Sequence, residues 1–255
     1  MKRNLTFLMS LVVLASMILA PCGGGAPATE APPVVTEPPE ATEPAATEPS
    51  TTEEPAATEP AAAGGTAIIS FVQQPTTLSP LYANQWFSTI TTQFWLKTLW
   101  SFDPENNPIP EIATEVPSPE NGGLSEDGLT LTVNLRDDVT WSDGESVTAS
   151  DFVFTYEMYM ADSNTVASRY PYEDYVASVE APDDQTLVIT FSEPFAGWLP
   201  YTFAGGVLPE HVLRPVFEAD GTLDNAEWNN APTVGVGPFV FTEWEADSHM
   251  IFEAN

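Results

Sequence analysis

The sequence predicts an α/β body built on mixed sheets, preceded by a short apolar segment and a long polar spacer. Three observations carry that expectation. Apolar and polar residues alternate from Leu129 to Leu135, apolar residues recur at three- and four-residue steps from Trp86 to Leu99, and residues 23–65 are dominated by Ala, Thr, Glu, Pro and Gly with no aromatic residue. The first pattern suits a half-buried strand and the second one face of a helix, whereas the third cannot build a core.

At the start, Lys2 and Arg3 precede an uncharged apolar stretch over 5–20. It falls short of the roughly 18 to 20 residues of a spanning helix and reads as the apolar core of a signal peptide. Cys22, the only cysteine, follows directly, so the body has neither a disulfide nor a thiolate metal site. Loss of Lys2 and Arg3 with the signal would leave 4 basic residues against 37 acidic ones, taking the net charge from −31 to −33. Such a surface repels nucleic acid and anionic lipid, and it is read as solubilising.

In the spacer, Thr-Glu-Pro recurs at 36, 42, 47 and 58. Regular prolines favour extended segments and the like-charged glutamates repel one another, which predicts a stiff, solvated linker over 23–65. At Thr66 the pattern changes. Ala67, Ile68, Ile69, Phe71 and Val72 form an apolar run read as a largely buried strand, and the stripe from Trp86 to Leu99 predicts a helix over 84–99. Residues 103–119, rich in Pro, Asn and Glu, predict an irregular connection with a turn near Ile112. A strand over 129–135 follows, then a turn at Trp141-Ser142-Asp143-Gly144 and a helix over 149–161 opened by a capping box at Thr148-Ala149-Ser150-Asp151. Residues 175–180 and 187–191 predict a hairpin, 209–213 a short helix, and 239–241 with 250–252 a final strand pair.

Searches for chemistry return little. Gly-x-Ser-x-Gly, His-Glu-x-x-His, a calcium loop and a phosphate loop are all missing from the sequence. Gly235-Val236-Gly237 leads into Pro238 rather than a helix and is read as backbone geometry, while His211 and His249 stand isolated. No metal site, cofactor or catalytic residue is expected. Most of the 7 Trp, 7 Tyr and 14 Phe must pack a core, and the ends of the helical stripe, Trp95 and Trp100, are the candidates for touching a ligand.

Two resemblances add to this reading. Leu19-Ala20-Pro21-Cys22 resembles the lipobox of bacterial lipoproteins, which implies a signal peptide over 1–22 and lipidation of Cys22; Pro21 departs from the small residue usual there. Further on, Gln74-Pro75-Thr76-Thr77-Leu78-Ser79-Pro80 and the run from Leu135-Arg136 through Trp141-Ser142-Asp143-Gly144 to Asp151-Phe152-Val153 resemble the bacterial extracellular solute-binding family 5. Val179-Glu180-Ala181-Pro182, Leu208-Pro209-Glu210-His211 and Pro232-Thr233-Val234-Gly235 continue that resemblance in family order. Family 5 comprises the oligopeptide, dipeptide and nickel class of ABC-transporter substrate-binding proteins.

The resemblance implies a type II, cluster C-like periplasmic-binding-protein fold. The first lobe would be 66–102 and 184–255, around an inserted small α+β domain over 103–183. The second lobe is expected to be missing, because family members run to about twice this folded length. The implied function is non-enzymatic capture of a peptide or similar small polar solute outside the membrane, by a lipid-anchored monomer that delivers it to ABC permease subunits. Thr76, Thr77 and Leu78, after the first strand, and Tyr201, Phe203 and Gly205, in the 201–206 stretch, are the implied ligand contacts. The alternatives are a nickel chelate or oligosaccharide as ligand, or a secreted enzyme or adhesin on the same stalk. The Trp141 to Asp151 signature itself has a structural explanation: Trp141 as a buried anchor, Gly144 at positive φ, and Asp151 as a helix cap.

Overall fold

The computed structural model describes residues 65–255, of which Thr66–Asn255 forms one compact unit. The expected signal segment, Cys22 and all but the last residue of the spacer lie outside the described residues.

Helix α1 (Trp86–Trp95) buries Phe87, Ser88, Thr91, Thr92 and Trp95 on one face. It ends sooner than expected because Leu96 turns to extended geometry, with its N–H bonded to the Thr92 carbonyl. Strand β1 (Trp100–Phe102) then pairs antiparallel with β2 (Pro108–Pro110), which lies within the 103–119 segment expected to be irregular. The Asp103 carboxylate closes their turn, accepting the Asn107 backbone N–H at 2.6 Å and its side-chain amide at 2.8 Å. Prolines are tolerated because so short a pairing sits at an edge and demands few donors.

Strands β3 (Thr130–Asn134), β4 (Val176–Asp183) and β5 (Thr186–Phe191) form an antiparallel sheet in the order β3-β5-β4. Alternation sends Leu131 and Val133 inward beside Leu187, Ile189 and Phe191, all buried. Helix α2 (Ala149–Met160) packs against β4 and β5 and buries Phe152 and Phe154 completely. Each such side chain contributes about 1.5–3 kcal/mol when withdrawn from water. The capping box is present as expected, with the Thr148 N–H donating to Asp151 at 2.9 Å.

Two short helices, α3 (Tyr172–Tyr175) and α4 (Trp198–Tyr201), flank the sheet strands. Helix α5 (Glu210–Asp220) runs past the expected 213 and through Pro215, and it stops where Gly221 adopts φ +72°. Glycine takes that left-handed geometry without a Cβ clash. A single 3₁₀ turn (Glu227–Asn229) precedes the hairpin of β6 (Phe239–Glu245) and β7 (His249–Ala254).

The strand expected at the start of the body is absent. Residues 67–72 form no strand and are not buried: Ile68 is 87% exposed and Val72 92%. An apolar run supplies the capacity to pair, but among the described residues no sheet edge lies against it. Among the described residues, too, no helix is long and apolar enough to cross a membrane.

Candidate functional site

A cleft of about 520 Å³ opens on one side of the body. One side comes from the end of α1 and the segment through β1, contributing Gln93, Leu96, Lys97 and Thr98; the other comes from α4 and the loop after it, contributing Leu199, Thr202, Ala204 and Gly205. The sides are tied together by the Trp100 indole, whose Nε1–H donates to the Leu199 carbonyl at 2.6 Å while its ring meets Trp198 edge-on at 5.6 Å. Gly206, at φ +91°, brings the second loop against the Lys97 carbonyl, where a Cβ would stand only 3.2 Å from that oxygen. Close backbone approach is what requires glycine there.

A buried polar hub fixes the scaffold. Asp151 Oδ2 accepts the Thr148 N–H and, at 3.4 Å, the Trp141 indole N–H, while Oδ1 accepts the Glu210 N–H at 2.9 Å. One carboxylate therefore joins the starts of α2 and α5 and the Trp141 anchor. Burial raises the Asp151 carboxyl above its ordinary value despite these three donors. Nearby, burial also acts to raise Asp143, yet bonds from His211 at 2.8 Å and from the Glu145 N–H outweigh it and hold that carboxyl low. Gly144 takes φ +96°, so the signature has the structural roles its residue types suggested.

The expected ligand contacts divide. Gly205 lines the cleft, and Tyr201, half exposed, belongs to α4 on the same rim without lining the cavity. Phe203 is buried at φ +53°, packed edge-on to Phe152 at 5.1 Å, so its side chain serves the core. Trp95 is also a core residue, fully buried and edge-on to Trp228 at 5.0 Å. Its carbonyl accepts the N–H groups of Val236 and Gly237, each at 2.9 Å, and a Cβ on Gly235 would collide with the same oxygen. Those glycines are thus backbone geometry. Of the other stripe end, Trp100 lines the cleft wall.

The loop after the first apolar run is pinned rather than open. The Asn229 carbonyl accepts Thr77 Oγ1–H at 2.9 Å, the Leu78 N–H at 2.8 Å and the Ser79 N–H at 3.1 Å. Thr77 and Leu78 are buried, and only Thr76 faces solvent. None of the three lines the cleft.

Two cleft residues escaped sequence reasoning. Lys97 is the sole lysine of residues 66–255, and that scarcity was the available signal. Thr202 is buried to 3% exposure with a hydroxyl lacking any hydrogen-bond partner, a property invisible before folding. Among the described residues no group of three or more His, Cys, Asp or Glu could hold a metal ion.

Comparison with known proteins places this geometry. A model of the bacterial extracellular solute-binding proteins, family 5 (middle region), matches residues 107–255. A putative ABC transporter peptide-binding protein of Brucella ovis is 31% identical over 179 residues, covering 69% of this chain and 32% of the relative. The oligopeptide-binding protein AppA of Bacillus subtilis is 28% identical over 193 residues, covering 75% of this chain and 34% of its own. Its solved structure with a nonapeptide aligns with TM-score 0.62 at 26% identity, over 72% of this chain and 35% of that one. NikZ of Campylobacter jejuni, solved with Ni(L-His), aligns with TM-score 0.60 at 26% identity, over 72% and 34%. The chain thus spans about a third of the length of the curated relatives it matches, and its fold is that of these type II periplasmic-binding-protein-like structures.

Proposed function

Because the chain belongs to the bacterial extracellular solute-binding proteins of family 5, we propose that it captures a peptide-like solute outside the membrane for delivery to the permease subunits of an ABC importer. The observation that carries the reading is the cleft itself: an open cavity of about 520 Å³ with a mixed apolar and polar lining. Neither histidine of the body lines it. A cavity of this kind holds a small ligand by shape and a few polar contacts, without covalent chemistry.

In this reading Cys22 carries a lipid anchor, 23–65 is the tether, and 66–255 is the binding body of a monomer. An inserted subdomain that ended at 183 would divide the β4–β5 hairpin, whose strands pair from Val176 opposite Phe191 to Asp183 opposite Thr186. The insert is therefore drawn to close beyond Phe191.

Isothermal titration of the 255-residue chain against short peptides of varied sequence tests the function. Saturable binding of at least one peptide is expected. No heat with any peptide, together with saturation by a nickel–histidine chelate or an oligosaccharide, would reassign the solute. Mass spectrometry of the product expressed in a bacterial host tests the anchor, and an unmodified Cys22 thiol would remove it.

A further inference from the structure

We propose that the cleft reads a free carboxylate on its solute through Lys97 and Thr202, an inference that rests on the solute-binding reading and gives it a chemical specificity. The body has four basic side chains, and three are engaged. Arg136 is held by Asp138 at 2.7 Å, and Arg214 by Glu210 at 2.5 Å and Glu157 at 3.2 Å. Arg169 donates to the Tyr159 and Ala161 carbonyls at 3.0 and 3.1 Å, with Asp162 at 3.7 Å. Lys97, half-buried in the cleft wall, makes no ion pair among the described residues, although Glu111 lines the same cavity.

Thr202 supplies an independent observation. It lines that cavity and is 97% buried by its 3% exposure, yet its Oγ1 has no partner. A buried hydroxyl without a hydrogen bond is costly, and native proteins keep few of them. A carboxylate oxygen is an acceptor that would satisfy this hydroxyl and pair with the Lys97 ammonium at once. The arrangement also answers the charge of the chain. At −31 the protein repels anions at long range, so preference for a carboxylate demands a cation within one screening length of roughly 8 Å. Lys97 is the side chain in the cleft that meets that demand.

The experiment compares trialanine with its C-terminal amide on the full 255-residue chain and its variants, by isothermal titration at low and high salt. The wild-type chain is expected to prefer the acid by roughly tenfold, the scale of one charge-assisted hydrogen bond, and added salt should shrink that preference. Lys97→Met should lower acid affinity about tenfold and leave amide affinity unchanged, while Lys97→Arg should retain most of the preference. Thr202→Val should weaken the acid by several-fold, yet raise the melting temperature of the unliganded chain, because it removes an unsatisfied buried hydroxyl. Equal binding of acid and amide by the wild-type chain, or an unchanged preference in Lys97→Met, overturns the proposal while leaving peptide capture intact. No binding of either peptide by the wild-type chain defeats both. A lowered melting temperature in Thr202→Val would mean that the hydroxyl already has a partner in the fold and would remove Thr202 from the site.

Discussion

The hub around Asp151 and the cleft wall around Lys97 handle polar groups in opposite ways. In the hub every buried donor is met. Asp151 accepts three N–H groups, and the fully buried Thr155 donates to the Asp151 carbonyl at 2.7 Å while accepting the Leu208 N–H at 2.9 Å. In the wall a buried hydroxyl has no partner, and the ammonium of the partly buried Lys97 makes no ion pair among the described residues. Satisfied polar groups specify the scaffold and unsatisfied ones are free to serve a ligand, so the first region should respond to mutation in stability and the second in affinity.

The largest effect expected from that division is Trp141→Ala. Trp141 is 1% exposed and its indole N–H meets Asp151, so truncation should cost about 3–5 kcal/mol in urea unfolding with little change in the peptide affinity of the folded fraction. A loss below about 1 kcal/mol would mean the hub is not the anchor described. A smaller effect follows from Asp151. Its carboxyl is raised from the ordinary 3.8 chiefly by burial, so the folded state binds the proton more readily than the unfolded chain. That contribution to stability is fully present below about pH 3.8 and is lost as pH rises through the folded value. Urea midpoints measured from about pH 3 to 7 should therefore fall more steeply with pH in the wild-type chain than in Asp151→Asn. The opposite ordering would show that the three N–H donors, not burial, dominate the site.

The same division explains how much could be read before folding. Leu129 to Leu135, the Thr148 capping box and the Gly144 turn are local patterns, set by period, hydroxyl and glycine, and each formed where expected. The run at 67–72 failed because pairing needs a neighbour that no local pattern can promise, and β1 with β2 formed despite prolines because Asp103 closes the turn through contacts four residues on. Among the ligand contacts, Gly205 lines the cleft, whereas Phe203 and Trp95 were drawn into the core by Phe152 and Trp228. Thr202 could not be singled out, since its distinction is an absent hydrogen bond. Lys97 could have been, by asking what the body's single lysine is for.

The smallest effect separates two adjacent threonines. Both were expected to touch the solute, yet Thr77 donates to the Asn229 carbonyl and accepts the Ser79 N–H at 3.2 Å, whereas Thr76 is exposed. Thr77→Val preserves the side-chain shape and removes those bonds, so it should cost about 1 kcal/mol of stability; the Asn229 carbonyl keeps the Leu78 and Ser79 N–H donors, which limits the loss. Thr76→Ala touches nothing that holds the fold and should stay within about 0.5 kcal/mol. If the 75–80 loop meets a solute at all, the affinity change belongs to Thr76→Ala. Paired urea unfolding and peptide titration of the two variants distinguish the cases, and a Thr77→Val chain with full stability but weakened binding would break the division, because it would show a buried, satisfied hydroxyl doing the work assigned to exposed or unpartnered ones.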